Sequence, residues 1–324
     1  MTRRARLIVF VVLVALVAAG AVLALAVALG DGGEGGGPRP GVPPLVLDLG
    51  VRTDREAVDL RRAERLYAAE RRDQAREVFD RHDSPEAQLG SAFARWPSGS
   101  LARVELLASQ RPRDSRVQLH LGFARFWSGR DQQAVSAWRT AARVQPDSPS
   151  AMRAEDLLHP DFPRGRPIFV PSFPLPDGLT RLSAPAQLQA LARQARRGSV
   201  REKLLYGLAL QRLGRQVSAR RQYEAAARLA PRDAEAQVAA AVVRFEKARP
   251  AEAFSRLGPL TRRFPRAQSV RFHLGLLLLW LARVREGSVD EGKAQLRRAQ
   301  ALGPRTLLGN EAKRLLDSLE GVGD

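Results

Sequence analysis

Asp156, His159 and Asp161 have the residue types and close spacing of a small metal-ligand set. They flank Pro160, where a helix has to end, and polar residues at such a break need no metal to account for them. The other histidines, His82, His120 and His273, are scattered along the chain. There is no Cys, which excludes disulfides, a thiol nucleophile and a Cys-ligated metal. No nucleophile elbow, P-loop, dinucleotide fingerprint or H-E-x-x-H occurs. The expectation is a protein without catalytic residue, metal or cofactor, so recognition is the chemistry left to explain.

Charge is the next candidate. Lys and Arg number 53 against 34 Asp and Glu, for a net charge of +19 in 324 residues. Arg193, Arg196, Arg197, Arg201, Arg220 and Arg221 could draw anionic lipid headgroups or an acidic partner, over the ~8–10 Å that salt leaves unscreened. A solvated, Arg-rich surface encoded by a GC-rich bacterial genome accounts for the same residues. Nucleic acid is not expected as a partner, because the topology read below places the body outside the cytoplasm.

That topology comes from residues 7–29, LIVFVVLVALVAAGAVLALAVAL, which carry no charge and no proline. At ~1.5 Å per residue they make roughly 35 Å of helix, enough for a ~30 Å hydrocarbon layer. A signal peptide is the alternative, with Arg3, Arg4 and Arg6 as its basic region and Ala26-Val27-Ala28 as a cleavage site, but its apolar core is usually shorter. Three Arg before the stretch and DGGEGGG after it predict a single-pass cell-membrane protein with residues 1–6 cytoplasmic and the remainder extracytoplasmic. Residues 30–50, rich in Gly and then Pro, read as a tether.

Beyond residue 51 the Ala, Leu and Arg segments have helical spacing and no sustained alternation, so the body is expected to be all-α. Prolines recur at 34 residues, from Pro112 to Pro146 and from Pro231 to Pro265. Ala134, Ala219 and Ala253 each precede such a proline by 12, and Trp138, Tyr223 and Leu257 by eight. Leu121-Gly122, Phe126, Ala134, Trp138, Ala141 and Pro146 make one copy of the pattern; Tyr206-Gly207, Leu210, Gly214, Ala219, Tyr223, Ala226 and Pro231 make another. Small residues predict close helix approach, the larger Trp138 and Tyr223 are expected to fill the space between successive repeats, and each proline bars continuation of a second helix.

This pattern resembles the tetratricopeptide repeat, and the resemblance implies an α-solenoid of helical hairpins. It covers degenerate and regular copies over 51–148 and three copies over 200–304, the last with a lengthened turn near Arg285 to Asp290, followed by a capping helix and tail over 305–324. Residues 149–199 interrupt it with a short helix, the Pro-rich run HPDFPRGRPIFVPSFPLPDG and an amphipathic segment. The His159-Pro160-Asp161 triplet resembles the loop of J-domain co-chaperones, but no J-domain helix pattern surrounds it.

By the same resemblance the first helix of each repeat lines a partner-binding groove. The residues placed there are Arg116, Leu119, Phe123, Phe126 and Trp127, then Arg201, Leu204, Leu208 and Arg212, then Glu235, Val238, Val242 and Phe245, then Phe272, Leu276, Leu279 and Trp280. Such a wall suits an apolar or amphipathic helix. Alternatively it is core, or the chain's own Pro-rich insert covers it. The functional expectation is a membrane-anchored scaffold that binds a protein or peptide partner; the second reading is an accessory subunit of a membrane enzyme complex in cytochrome maturation or cell-wall synthesis. Partner identity and oligomeric state are not legible.

Overall fold

A computed structural model describes residues 37–196 and 198–320. Every regular element among them is a helix. The chain divides at Pro160 into two compact units. The first contains α1 (Arg55–Ala68), α2 (Arg72–Phe79), α3 (Pro85–Ala94), α4 (Ser100–Gln110), α5 (Ser115–Trp127), α6 (Asp131–Val144) and α7 (Pro149–Leu158). The second contains α8 (Asp177–Thr180), α9 (Ala184–Arg196), α10 (Val200–Arg212), α11 (Gln216–Leu229), α12 (Ala234–Val242), α13 (Ala251–Arg263), α14 (Gln268–Trp280), α15 (Ser288–Leu302) and α16 (Leu307–Glu320). Each unit is three hairpins and a closing helix, with the short α8 and the α9 helix ahead of the second set.

Local chemistry sets these boundaries. Asp54, Ser84, Asp114, Ser199 and Asp233 stand at N-caps, and each side chain accepts a backbone N–H that the first turn leaves free. Three hairpins then turn in one way. A residue with positive φ, Glu70 (61°), Gly129 (75°) or Gly214 (72°), follows the first helix. The next N–H reaches back to close the helix end: Arg71 to Leu66 O, Arg130 to Arg125 O and Arg215 to Leu210 O, each 2.9 Å. The second helix starts within two residues of that turn, so it runs back along the first.

Glycines under aromatic rings set how closely the helices approach. A Cβ on Gly122 would collide with the Trp138 indole, and one on Gly207 with the Tyr223 ring. Trp138 and Tyr223 therefore pack within their own hairpins, whereas the repeat pattern predicted them between repeats. Phe79 does cross to the next hairpin and lies over Gly90. Trp138 is fully buried and its Nε1 donates to Leu119 O at 3.2 Å. At about 25 cal/mol per Å2, burial of a side chain this size contributes roughly 4–6 kcal/mol.

The predicted single-pass cell-membrane localisation, with an extracytoplasmic repeat domain, is corrected here. No helix among the described residues is long and apolar enough to cross a membrane. The longest of them, α15, has 15 residues, about 22 Å, and is rich in charge. The transmembrane stretch predicted at 7–29 lies outside the described residues. The tether predicted over 30–50 is also revised for its described part, because residues 42–49 pack into the core of the first unit.

Gly122→Ala and Gly207→Ala are expected to lower the midpoint of thermal unfolding, by the roughly 1–3 kcal/mol that overpacking costs. Glu70→Gly, which relieves a left-handed residue, is expected to raise it by up to about 1 kcal/mol. Circular dichroism during heating checks both signs.

Candidate functional site

The first helices of the hairpins in the second unit, α10, α12 and α14, do not present an open wall. Residues 162–175 run along them without regular secondary structure, as a strap. Phe169 is fully buried at its centre, with its ring 5.5 Å from that of Tyr223 and stacked on His273 at 5.2 Å. Phe162 packs edge-on against Phe245 at 6.1 Å.

Side chains address the strap's main chain. Gln211 acts twice: its Oε1 accepts Phe169 N–H at 3.1 Å and its Nε2 donates to Pro167 O at 3.1 Å. Tyr223 Oη donates to the same Gln211 Oε1 at 3.1 Å, which fixes the amide's orientation. His273 Nε2 accepts Val170 N–H at 2.9 Å. Glu235 accepts both the N–H and the hydroxyl of Ser172. The buried Lys247 Nζ donates to Pro163 O at 2.6 Å, and Arg201 donates to Pro174 O while lying 4.6 Å above the Phe173 ring.

Residues 39–49 play the same part in the first unit. Arg39 binds Asp131 with two hydrogen bonds, donates to Phe126 O and sits over the Phe126 ring. Its N–H goes to Trp127 O at 2.8 Å. Tyr67 Oη donates to Pro43 O at 2.6 Å, His120 Nε2 accepts Val46 N–H at 3.2 Å, and Glu64 accepts Leu47 N–H at 3.0 Å. Leu47 is fully buried. Arg116 reaches Leu47 O and Glu86, and Asp48 takes Ser150 and Arg153.

Both histidines must be neutral to do this. Nδ1 of His120 lies 2.7 Å from Arg116 O and Nδ1 of His273 lies 2.7 Å from Ser269 O, so each Nδ1 carries the proton and Nε2 is left as acceptor. Complete burial pushes both pKa values down to about 4. The charged groups nearest His120 are Asp48, Arg116 and Arg153, while His273 faces Phe169, Phe272 and Ser269. Burial also raises the Glu235 carboxyl, against the opposing pull of the Ser172 hydrogen bonds.

The residues expected to line a groove fall into three groups. Leu119, Phe123, Phe126, Leu204, Leu208, Val238, Val242, Phe245 and Phe272 are buried. Arg116, Trp127, Leu276, Leu279 and Trp280 are half-buried, and Arg201 and Arg212 are exposed. Arg116, Phe126, Trp127, Arg201 and Phe245 are among those that touch a strap. Phe123 instead packs against Trp138 at 6.0 Å, and Leu279 lies against Gly292. Sequence reasoning placed Glu235 on the inner wall but missed the anchors His120, His273, Glu64, Tyr67, Gln211 and Lys247. The recurrence of His-Leu-Gly at 120–122 and 273–275 was the available signal. Among the described residues no group of three or more His, Asp or Glu is placed to hold a metal ion.

No protein-family model matches the chain, and none of the curated proteins does. Solved structures do match. Yeast Tom70 is 12% identical, at a TM-score of 0.31 over 78% of this chain and 50% of that one. TTC0263, a thermophilic TPR protein of Thermus thermophilus, is 19% identical, at 0.24 over 69% and 99%. The TPR2AB domain of yeast Sti1 in its pHSP90 complex is 13% identical, at 0.30 over 82% and 96%. This chain spans about half the length of Tom70. At these scores the hairpin fold rests on the packing described above.

An unfolded histidine titrates near 6.5. A folded value of about 4 means that the stability is fully present above about pH 6.5 and is lost as the pH falls toward 4, by up to about 3 kcal/mol per histidine. Urea unfolding between pH 7 and 4.5 should show this loss, and His273→Gln, which cannot titrate, should have the shallower slope.

Proposed function

We infer that this chain is a non-catalytic recognition scaffold that holds an extended, proline-containing segment of a protein or peptide partner against the first helices of its hairpins. One observation carries the reading: in each unit that face already holds such a segment, through side chains aimed at its main chain. Backbone-directed hydrogen bonds fix the path of a bound chain, while pockets such as the one around Phe169 select its side chains. Prolines suit a chain buried among helices, because each removes an N–H that would otherwise need a partner. An amphipathic helix fits less well, since its own hydrogen bonds would leave Gln211, His273 and Glu235 without main-chain partners.

The test is binding in trans. Residues 165–174 are replaced by a Gly/Ser run of equal length in the full chain, and a fluorescent peptide of residues 161–176 is titrated in. Saturable anisotropy is expected, weakened roughly tenfold by Gln211→Ala, which removes two hydrogen bonds. If the helical circular dichroism is retained and no saturable binding occurs, the reading fails.

A further inference from the structure

The two straps agree in their details. Gly41 and Gly165 have φ of 80° and 79°. Two residues on, the carbonyls of Pro43 and Pro167 accept from Tyr67 and Gln211, which stand twelve residues before the buried rings of Phe79 and Tyr223. After a further two residues an apolar side chain, Leu45 or Phe169, points into the core. The next N–H, of Val46 or Val170, goes to His120 or His273. The shared pattern is Gly-x-Pro-x-apolar-Val.

The helices behind the straps match in the same order. Glu70 and Gly214 form the left-handed turn of the first hairpin. Glu86-Ala87-Gln88 opens α3 and Glu235-Ala236-Gln237 opens α12. Arg95 pairs with Asp80 at 3.0 Å, and Arg244 pairs with Glu224. In α5 and α14 the run Val-x-x-His-Leu-Gly-x-x-x-x-Trp stands at 117–127 and again at 270–280. A 34-residue hairpin period cannot generate this agreement. It repeats hairpins, but it does not put an extended strap ahead of every third one or set a strap-binding His in the third hairpin of each set. The division of the chain into two compact units at Pro160 falls between the two sets.

We propose that the chain is a tandem duplication of one module, a strap with three hairpins and a closing helix, and that its two faces are equivalent sites for one ligand class: an extended segment of the form Gly-x-Pro-x-apolar-Val. This rests on the scaffold reading and adds to it the ligand pattern and the number of sites. Gly is required for the left-handed entry, the Pro carbonyl as acceptor, the apolar residue to fill the core, and a residue other than proline at the last position to donate to the imidazole. The acid contacts are not duplicated: Glu64 belongs to the first hairpin and Glu235 to the second, so they belong to each unit's own tuning.

Strap exchange tests equivalence without any ligand in trans. In the full chain, residues 41–49 are replaced by the sequence of 165–173, in a second chain the reverse is done, and a third carries a scrambled strap. Hydrogen exchange then reads the amide at the Val46 or Val170 position. Protection within about tenfold of the parent in both exchanges, and a loss of a hundredfold or more in the scramble, is expected. Equal protection in the scramble, or loss in both exchanges, overturns equivalence. Should an exchanged chain not fold, single variants decide: Phe169→Leu is to keep the Val170 protection and Phe169→Ala to lose it, and equal loss in both overturns the proposal. A chain that accepts exchanged straps but binds no peptide in trans would refute the scaffold reading and leave the duplication standing.

Discussion

An extended chain buried among helices has no neighbouring strand to take up its N–H and C=O groups, and helix backbones are already saturated by their own i to i−4 bonds. Each strap therefore depends on side chains for what a sheet would have supplied. Gln211, with a donor and an acceptor on one amide, serves a carbonyl and an N–H two residues apart. His273 and Glu235 take the next available N–H groups, and Lys247 and Arg201 cap the carbonyls near either end. The rest of the arrangement follows. The histidines have to stay neutral, Gln211 and the acids have to reach the strap from the first helices, and prolines thin out the donors that would need partners.

The same constraint explains why hairpin geometry matters to the site. Gly207 lets Tyr223 lie flat against α10, which brings its hydroxyl to Gln211 and its ring edge to Phe169. In the first unit Gly122 lets Trp138 close in on α5, while His120 on the same helix turns toward the strap between Phe93 and Phe123. Helix approach and strap recognition thus share residues a turn apart, so loosening the hairpins would displace the anchors as well.

Much of the fold was legible because its signals are local. Proline ends a helix wherever it falls, an Asp or Ser cap acts on the next three residues, and a Gly under a ring leaves a spacing of 16 residues in sequence, as from Gly122 to Trp138 and from Gly207 to Tyr223. The site was less legible. Residues 38–49 and 163–176 have the Gly and Pro content of a linker, and composition does not distinguish a loose tether from a buried strap. The anchors Tyr67, Gln211 and Glu235 are ordinary helix residues until the chain 24 to 63 positions away is laid against them. The inner-wall residues were placed by their position on the first helices, so Arg116 and Arg201 entered that set without the polar chemistry by which they fix the strap.

Filling these faces in cis changes what they have to supply. A wall that met only an apolar helix would need shape and hydrophobicity alone. Here a neutral imidazole stands at the same step of both straps, each held by a carbonyl one turn back on its own helix and each walled by aromatic rings. Burial without charge makes the imidazole a fixed acceptor that needs an N–H opposite it, and in the second strap a slip of one residue toward the C-terminus would put Pro171 opposite His273 and leave the ring without a donor. In that strap hydrogen-bond polarity opposes a slip in this direction, while the apolar residue beside it supplies the burial.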